Sequence, residues 1–102
     1  MTLIKPEDIK LRLGAGEKLN LLDVREPGEN AEFNIGGILL PLGNIMSMQV
    51  EEIEDLKNKE LICYCRSGQR SMQACLMLEN FGFTNVKNLV GGMLGWQERF
   101  GG

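Results

Sequence analysis

The segment Cys65-Arg66-Ser67-Gly68-Gln69-Arg70-Ser71 sets one thiol at the head of a short run with two cations. The chain is otherwise acidic, with 11 Lys plus Arg against 14 Asp plus Glu and a net charge of -3. Helix-forming residues follow at once, so the cysteine leads a helix N-terminus, where unpaired N–H groups and the helix dipole favour an anion. Thiolates so placed have pKa values of roughly 3.5 to 7.5 instead of about 8.5, which makes Cys65 a candidate nucleophile at neutral pH. Gly68 allows the tight backbone that turns successive amides inward, and Arg66, Ser67, Gln69 and Arg70 complete a cradle for an anionic group. The same residues also admit a plainer reading, a core cysteine ending a strand before a solvated basic turn.

No histidine is present, which excludes the Ser-His-Asp and Cys-His nucleophile pairs and His-ligated zinc. The three cysteines, Cys63, Cys65 and Cys75, are too few and too close together for a secreted disulfide framework, and their odd number leaves one thiol free. A reducing compartment, hence a cytoplasmic location, is the expectation, and the N-terminus lacks the pattern of a signal peptide. Cys63 and Cys65 share a strand face, but an extended chain separates them by roughly 6.6 Å, near the limit for a disulfide. Cys63 and Cys75 read as small core residues, and Trp96 and the methionines as core or rim packing. The cysteine spacing does not suit a metal, and no cofactor is implied. No basic stripe long enough to track nucleic acid occurs, and no apolar run approaches the ~20 residues of a membrane helix.

These residues need elements to hold them. With 102 residues and 43% hydrophobic positions, one domain spanning residues 1–102 is expected. A short first strand precedes a helix over 6–13, with Pro6 in its first turn, Glu7 and Asp8 at its dipole end, and Gly14 and Gly16 stopping it. The brief apolar runs at 19–24, 38–40 and 61–64 read as strands buried on both faces. Val50, Ile53 and Leu56 predict a helix over 48–57 with Ser47 as its N-cap. Residues 70–81 read as a helix, 86–89 as a last strand and 92–100 as a last helix. This alternation predicts a three-layer α/β fold, a central parallel sheet of about five strands with helices on both faces. Ligands of such sheets sit beyond the strand C-termini, which points to the residues just after Val24 and Tyr64.

The Cys65 loop resembles the active-site loop of rhodanese-like domains, a sulfurtransferase family. Leu22-Asp23-Val24-Arg25-Glu26 resembles that family's motif after the second strand, and Glu32-Phe33 and Pro41-Leu42 fit its middle segment. Leu89-Val90-Gly91-Gly92 with Gly95-Trp96 resembles its closing motif. The four matches occur in the family's order and span most of the chain. The resemblance implies transfer of a sulfane sulfur through a persulfide on Cys65. One departure stands out: Asn34-Ile35-Gly36-Gly37-Ile38 replaces the family's frequent Gly-His-Ile and looks shortened.

On this reading Cys65 attacks the outer sulfur of a small anionic donor such as thiosulfate, and the persulfide passes its terminal sulfur to a thiol or to cyanide. A protein persulfide fits equally as donor or acceptor. Arg66 faces the mouth, while Arg70 either contacts the donor or pairs with an acid such as Asp23 or Glu26. Asp23 and Arg25 read as a supporting ion pair that anchors a loop near the site. Two rivals remain. In a cysteine-dependent phosphatase or arsenate reductase the loop would be longer, since Cys65 to Arg70 spans six residues inclusive, one short of that signature, and Tyr64 replaces its histidine. In a non-catalytic rhodanese-like interaction module the thiol would be incidental.

Overall fold

The apolar runs form five strands in a computed structural model that describes residues 1–102. They are Thr2–Ile4 (β1), Leu21–Asp23 (β2), Ile38–Leu39 (β3), Leu61–Tyr64 (β4) and Val86–Leu89 (β5). All neighbouring pairs are parallel, and the order across the sheet is β1-β5-β4-β2-β3. Every residue of β2 and β4 is buried, as central strands covered on both faces must be. The period of two sorts their side chains: Leu22, Leu61, Cys63 and Cys65 enter one core, and Leu21, Ile62 and Tyr64 the other.

Helices cover both faces, as the alternating pattern predicts. Pro6–Gly14 (α1) and Gly92–Phe100 (α5) contribute Ile9, Met93 and Trp96 to one core. Leu42–Met46 (α3), a 3-10 helix at Glu51–Leu56 and Gln69–Asn80 (α4) contribute Ile45, Ile53, Ala74, Cys75 and Leu78 to the other. Pro27–Glu32 (α2) buries no residue and caps the end of the sheet beyond β2. No helix is long and apolar enough to cross a membrane.

The segment over 48–57 departs from its expected form. Ser47 is not an N-cap but the C-cap of α3, and Met48 takes a left-handed φ of 62° that separates α3 from the 3-10 helix. Val50, Ile53 and Leu56 are spaced by threes, which lines up one side of a helix with three residues per turn. The five-residue α3 and six-residue α2 are too short for an apolar period to announce them. Met46 and Met48 are exposed rather than packed, whereas Met93 and Trp96 are buried.

β2 and β4 are neighbours whose onward connections leave in opposite directions, toward β3 and toward β5. Their C-terminal ends therefore flank the crevice of a topological switch point. Val24 and Cys65, which follow these two strands, stand at that crevice.

Candidate active site

β4 ends at Tyr64, and the chain turns through residues 65–68 into α4, with Gly68 as N-cap at a φ of 105°. That backbone brings the Gly68 N–H to within 3.0 Å of Cys65 Sγ. Ser71, in the first turn of α4, puts its hydroxyl 3.4 Å from the same sulfur. Burial pushes the Cys65 thiol up, but hydrogen bonding from the Ser71 hydroxyl and the amides of Ser71, Gly68 and Ser67 outweighs it and brings the thiol below the ordinary cysteine range. Of the amides expected to turn inward, the Gly68 N–H makes a hydrogen bond to the sulfur. The sulfur lies under the loop, not on its outside, since Cys65 is only 1% exposed.

The loop is fixed from its other side by α5. The first free N–H groups of that helix bind the loop's carbonyls, Met93 to Cys65 at 2.9 Å and Leu94 to Arg66 at 3.0 Å. A Cβ on Gly92 would fall 2.6 Å from the Arg66 carbonyl carbon, so the closing Gly91-Gly92 motif is what lets α5 come so near. These two bonds hold the loop in place next to the peptide whose Gly68 N–H meets the sulfur.

Around this centre the charges are largely matched. Asp23 is fully buried and Arg25 5% exposed; they pair at 2.8 Å, and Asp23 also accepts from Asn30 Nδ2 at 2.9 Å. Arg25 donates to the Phe33 carbonyl at 2.6 Å, which anchors the segment after α2. Burial works against the Arg25 charge, and its bonds to Asp23 more than restore it. Arg70 is held by a bidentate pair at 2.8 and 2.9 Å, and its partner is Glu29 of α2, not Asp23 or Glu26. Those two bonds hold the Glu29 carboxyl down at about 2. Arg66 is exposed and forms no ion pair. It lines a cleft of about 450 Å³ together with Arg25, Glu29, Phe33, Leu94 and Gln97. Ser67 and Gln69 are exposed on the loop's outer side.

Cys63 and Cys75 share a core with Cys65 and all three are free. A hydrogen bond with Cys75, burial, and the nearby Cys75 and Cys65 sulfurs raise the Cys63 thiol well above its ordinary value. Two site residues escape a reading of the sequence. Ser71 closes the motif as a helix residue like any other, and Asn88 sits inside β5 with no local signal. Asn88 donates from Nδ2 to the Gly68 carbonyl at 3.0 Å. The shortened Asn34–Ile38 stretch is also accounted for: Gly37 packs so closely on β2 that a Cβ would fall 2.7 Å from Leu21 Cβ. The Gly36 carbonyl accepts from the Tyr64 hydroxyl at 2.9 Å.

A cysteine-led loop at a helix N-terminus, set at the switch point of a five-stranded parallel sheet, defines a class, and comparison with known proteins agrees. Residues 5–99 match the model of the rhodanese-like domain, and the chain belongs to that family. A protein named sulfurtransferase from Allochromatium vinosum is 38% identical over 94 residues, covering 91% of this chain and 85% of the relative. YtwF of Bacillus subtilis is 42% identical over 91 residues, covering 87% and 84%. Among solved structures, a rhodanese-like domain protein from Staphylococcus aureus superposes with a TM-score of 0.81 at 26% identity, covering 94% of this chain and 91% of that one.

Proposed function

We propose that this sulfurtransferase-family chain moves a sulfane sulfur from thiosulfate, or a donor of like charge, through a persulfide on Cys65. The Cys65 thiolate attacks the outer sulfur of the donor; the new Sγ–S bond forms as the donor's S–S bond breaks, and sulfite departs with the electron pair. Cyanide or a thiolate acceptor then attacks the outer sulfur, the Sγ–S bond breaks, and its electron pair returns to Sγ. Neither half takes a proton from carbon, so the chemistry is compatible with a chain that has no histidine.

The observation that carries this reading is the convergence of the Gly68 amide and the Ser71 hydroxyl on one sulfur. The same donors that hold the thiolate favour its departure from the persulfide. Arg66, which forms no ion pair although Glu29 and Glu32 line the same cleft, attracts the anionic donor, whereas Arg70, neutralised by Glu29, acts chiefly to brace the first turn of α4. The short loop and nearly enclosed sulfur suit a single sulfur atom better than a tetrahedral phosphate. Three free thiols suit a reducing compartment such as the cytoplasm, with residues 1–102 working as one rhodanese-like unit.

The test is thiosulfate-to-cyanide transfer by wild type and Cys65→Ala, with mass spectrometry after thiosulfate treatment. Activity should fall at least about 10³-fold in the variant, and one sulfur atom should add to Cys65 in wild type. Equal rates would remove Cys65 from the mechanism. Aryl phosphate hydrolysis lost in Cys65→Ala, without sulfur transfer in wild type, would favour a phosphatase.

A further inference from the structure

Asn88 is buried in β5, 2% exposed, and both ends of its amide are engaged at the Cys65 loop. Its Nδ2 donates to the Gly68 carbonyl, and its Oδ1 accepts from the Ser71 hydroxyl. Ser71 is fully buried and has a single hydroxyl proton. Its oxygen nevertheless lies within reach of three acceptors: Asn88 Oδ1, the Gly68 carbonyl at 3.2 Å and Cys65 Sγ at 3.4 Å. The Gly68 carbonyl already receives Asn88 Nδ2 at 3.0 Å and the Met72 N–H at 3.1 Å. The proton's effective choice is between the Asn88 oxygen and the Cys65 sulfur.

That choice depends on the state of the sulfur. A hydrogen bond to an ionised acceptor is about twice as strong as one to a neutral acceptor, so a Cys65 thiolate draws the Ser71 proton to Sγ. When Sγ becomes the inner, uncharged sulfur of a persulfide it is a weak acceptor, and the proton returns to Asn88 Oδ1. We propose that Asn88 is a positioning residue for Cys65: its carbonyl holds the Ser71 proton while the sulfur is uncharged and yields it when the thiolate forms. Its amino group meanwhile keeps the Gly68 carbonyl from competing. As the Sγ–S bond breaks and the electron pair returns to Sγ, the hydroxyl swings toward the growing charge. The proton stays on Ser71 throughout, and no buried donor is left unpaired in either state.

The role in transfer rests on the persulfide reading above, but the test does not need a sulfur donor. Ultraviolet thiolate absorbance is titrated in wild type, Asn88→Leu, Ser71→Ala and the double variant, each against the same protein with Cys65→Ser. The other charged and titratable groups around the sulfur are Arg66, Arg70 with Glu29, Asp23 with Arg25, Cys63 and Cys75, and all remain in every variant. In Asn88→Leu the uncharged sulfur state loses the acceptor that holds the Ser71 proton while the thiolate still draws that proton, so the Cys65 midpoint should fall, by up to about one pH unit. Ser71→Ala removes the donor to the thiolate and should raise the midpoint by a similar amount, and the double variant should match Ser71→Ala. An unchanged or raised midpoint in Asn88→Leu, or shifts that add in the double variant as a merely structural role would give, overturns the proposal. Should Asn88→Leu fail to fold, isotope-labelled wild type decides: capping Cys65 with methyl methanethiosulfonate, which leaves Sγ uncharged, should move the Asn88 side-chain amide resonances, and no movement sinks the idea.

Discussion

Cys63 and Cys65 lie two residues apart, on the same side of the sheet and in the same core, and each is buried. Their thiols are nonetheless driven in opposite directions, Cys63 far up and Cys65 down. Burial disfavours the charge on both, so burial does not distinguish them. The difference is the backbone. Within β4 the N–H groups are engaged by neighbouring strands, and Cys63 has only another thiol for company. One residue past the strand end the peptides turn, and their N–H groups become free to face a sulfur. The opposite directions of the two thiols come from where a ladder stops, not from the chemistry of cysteine.

Labelling tests that contrast most directly. After thiosulfate treatment and peptide mapping, the sulfur adduct should lie on Cys65 in at least about 10³-fold excess over Cys63; comparable labelling would mean that the amides do not set reactivity. Gly92→Ala should be nearly as damaging, because the new Cβ meets backbone carbonyl atoms and not a flexible side chain. The expected loss is about 3 kcal/mol in chemical denaturation together with slowed sulfur loading. Cys63→Ala should cost about 1 kcal/mol of stability from the lost sulfur and leave transfer rates within a factor of about two. A large drop in rate would give Cys63 a chemical role.

The smallest effect concerns the ionic frame. Folded Glu29 titrates at about 2 instead of 4.5, so its contribution is present above pH 4.5 and is lost as pH falls through about 2. Glu29→Gln should flatten the acid limb of stability in that window by about 0.5 kcal/mol, a partly exposed pair being screened by solvent. It should leave the Cys65 midpoint nearly unchanged, and a large shift there would mean that the ion pairs, rather than the amides, hold the thiolate.

The parallel sheet, its two covered faces and the cysteine-led loop could all be read from the chain because their signals are local. Apolar runs of strand length bounded by Gly and Pro, and Gly68 just before a helical stretch, require no knowledge of distant partners. Asn88 could not be read this way: it lies 23 positions from Cys65 and meets the loop only because β5 is placed beside β4. The choice of Glu29 for Arg70 likewise depends on α2, whose six residues bury nothing and leave no apolar period. Spacing by three fits an α-helix and a 3-10 helix alike, so the pattern over 48–57 does not reveal the tighter form or the break from α3 at the left-handed Met48.

The clamp from Met93 and Leu94 onto the carbonyls of Cys65 and Arg66 also orders events in time. A chain leaving the ribosome completes β4 and the loop some thirty residues before the segment that pins them. Until that segment docks, the loop lacks the two bonds that hold its carbonyls, so the nucleophile of the proposed function is assembled by tertiary docking and not by the local sequence alone.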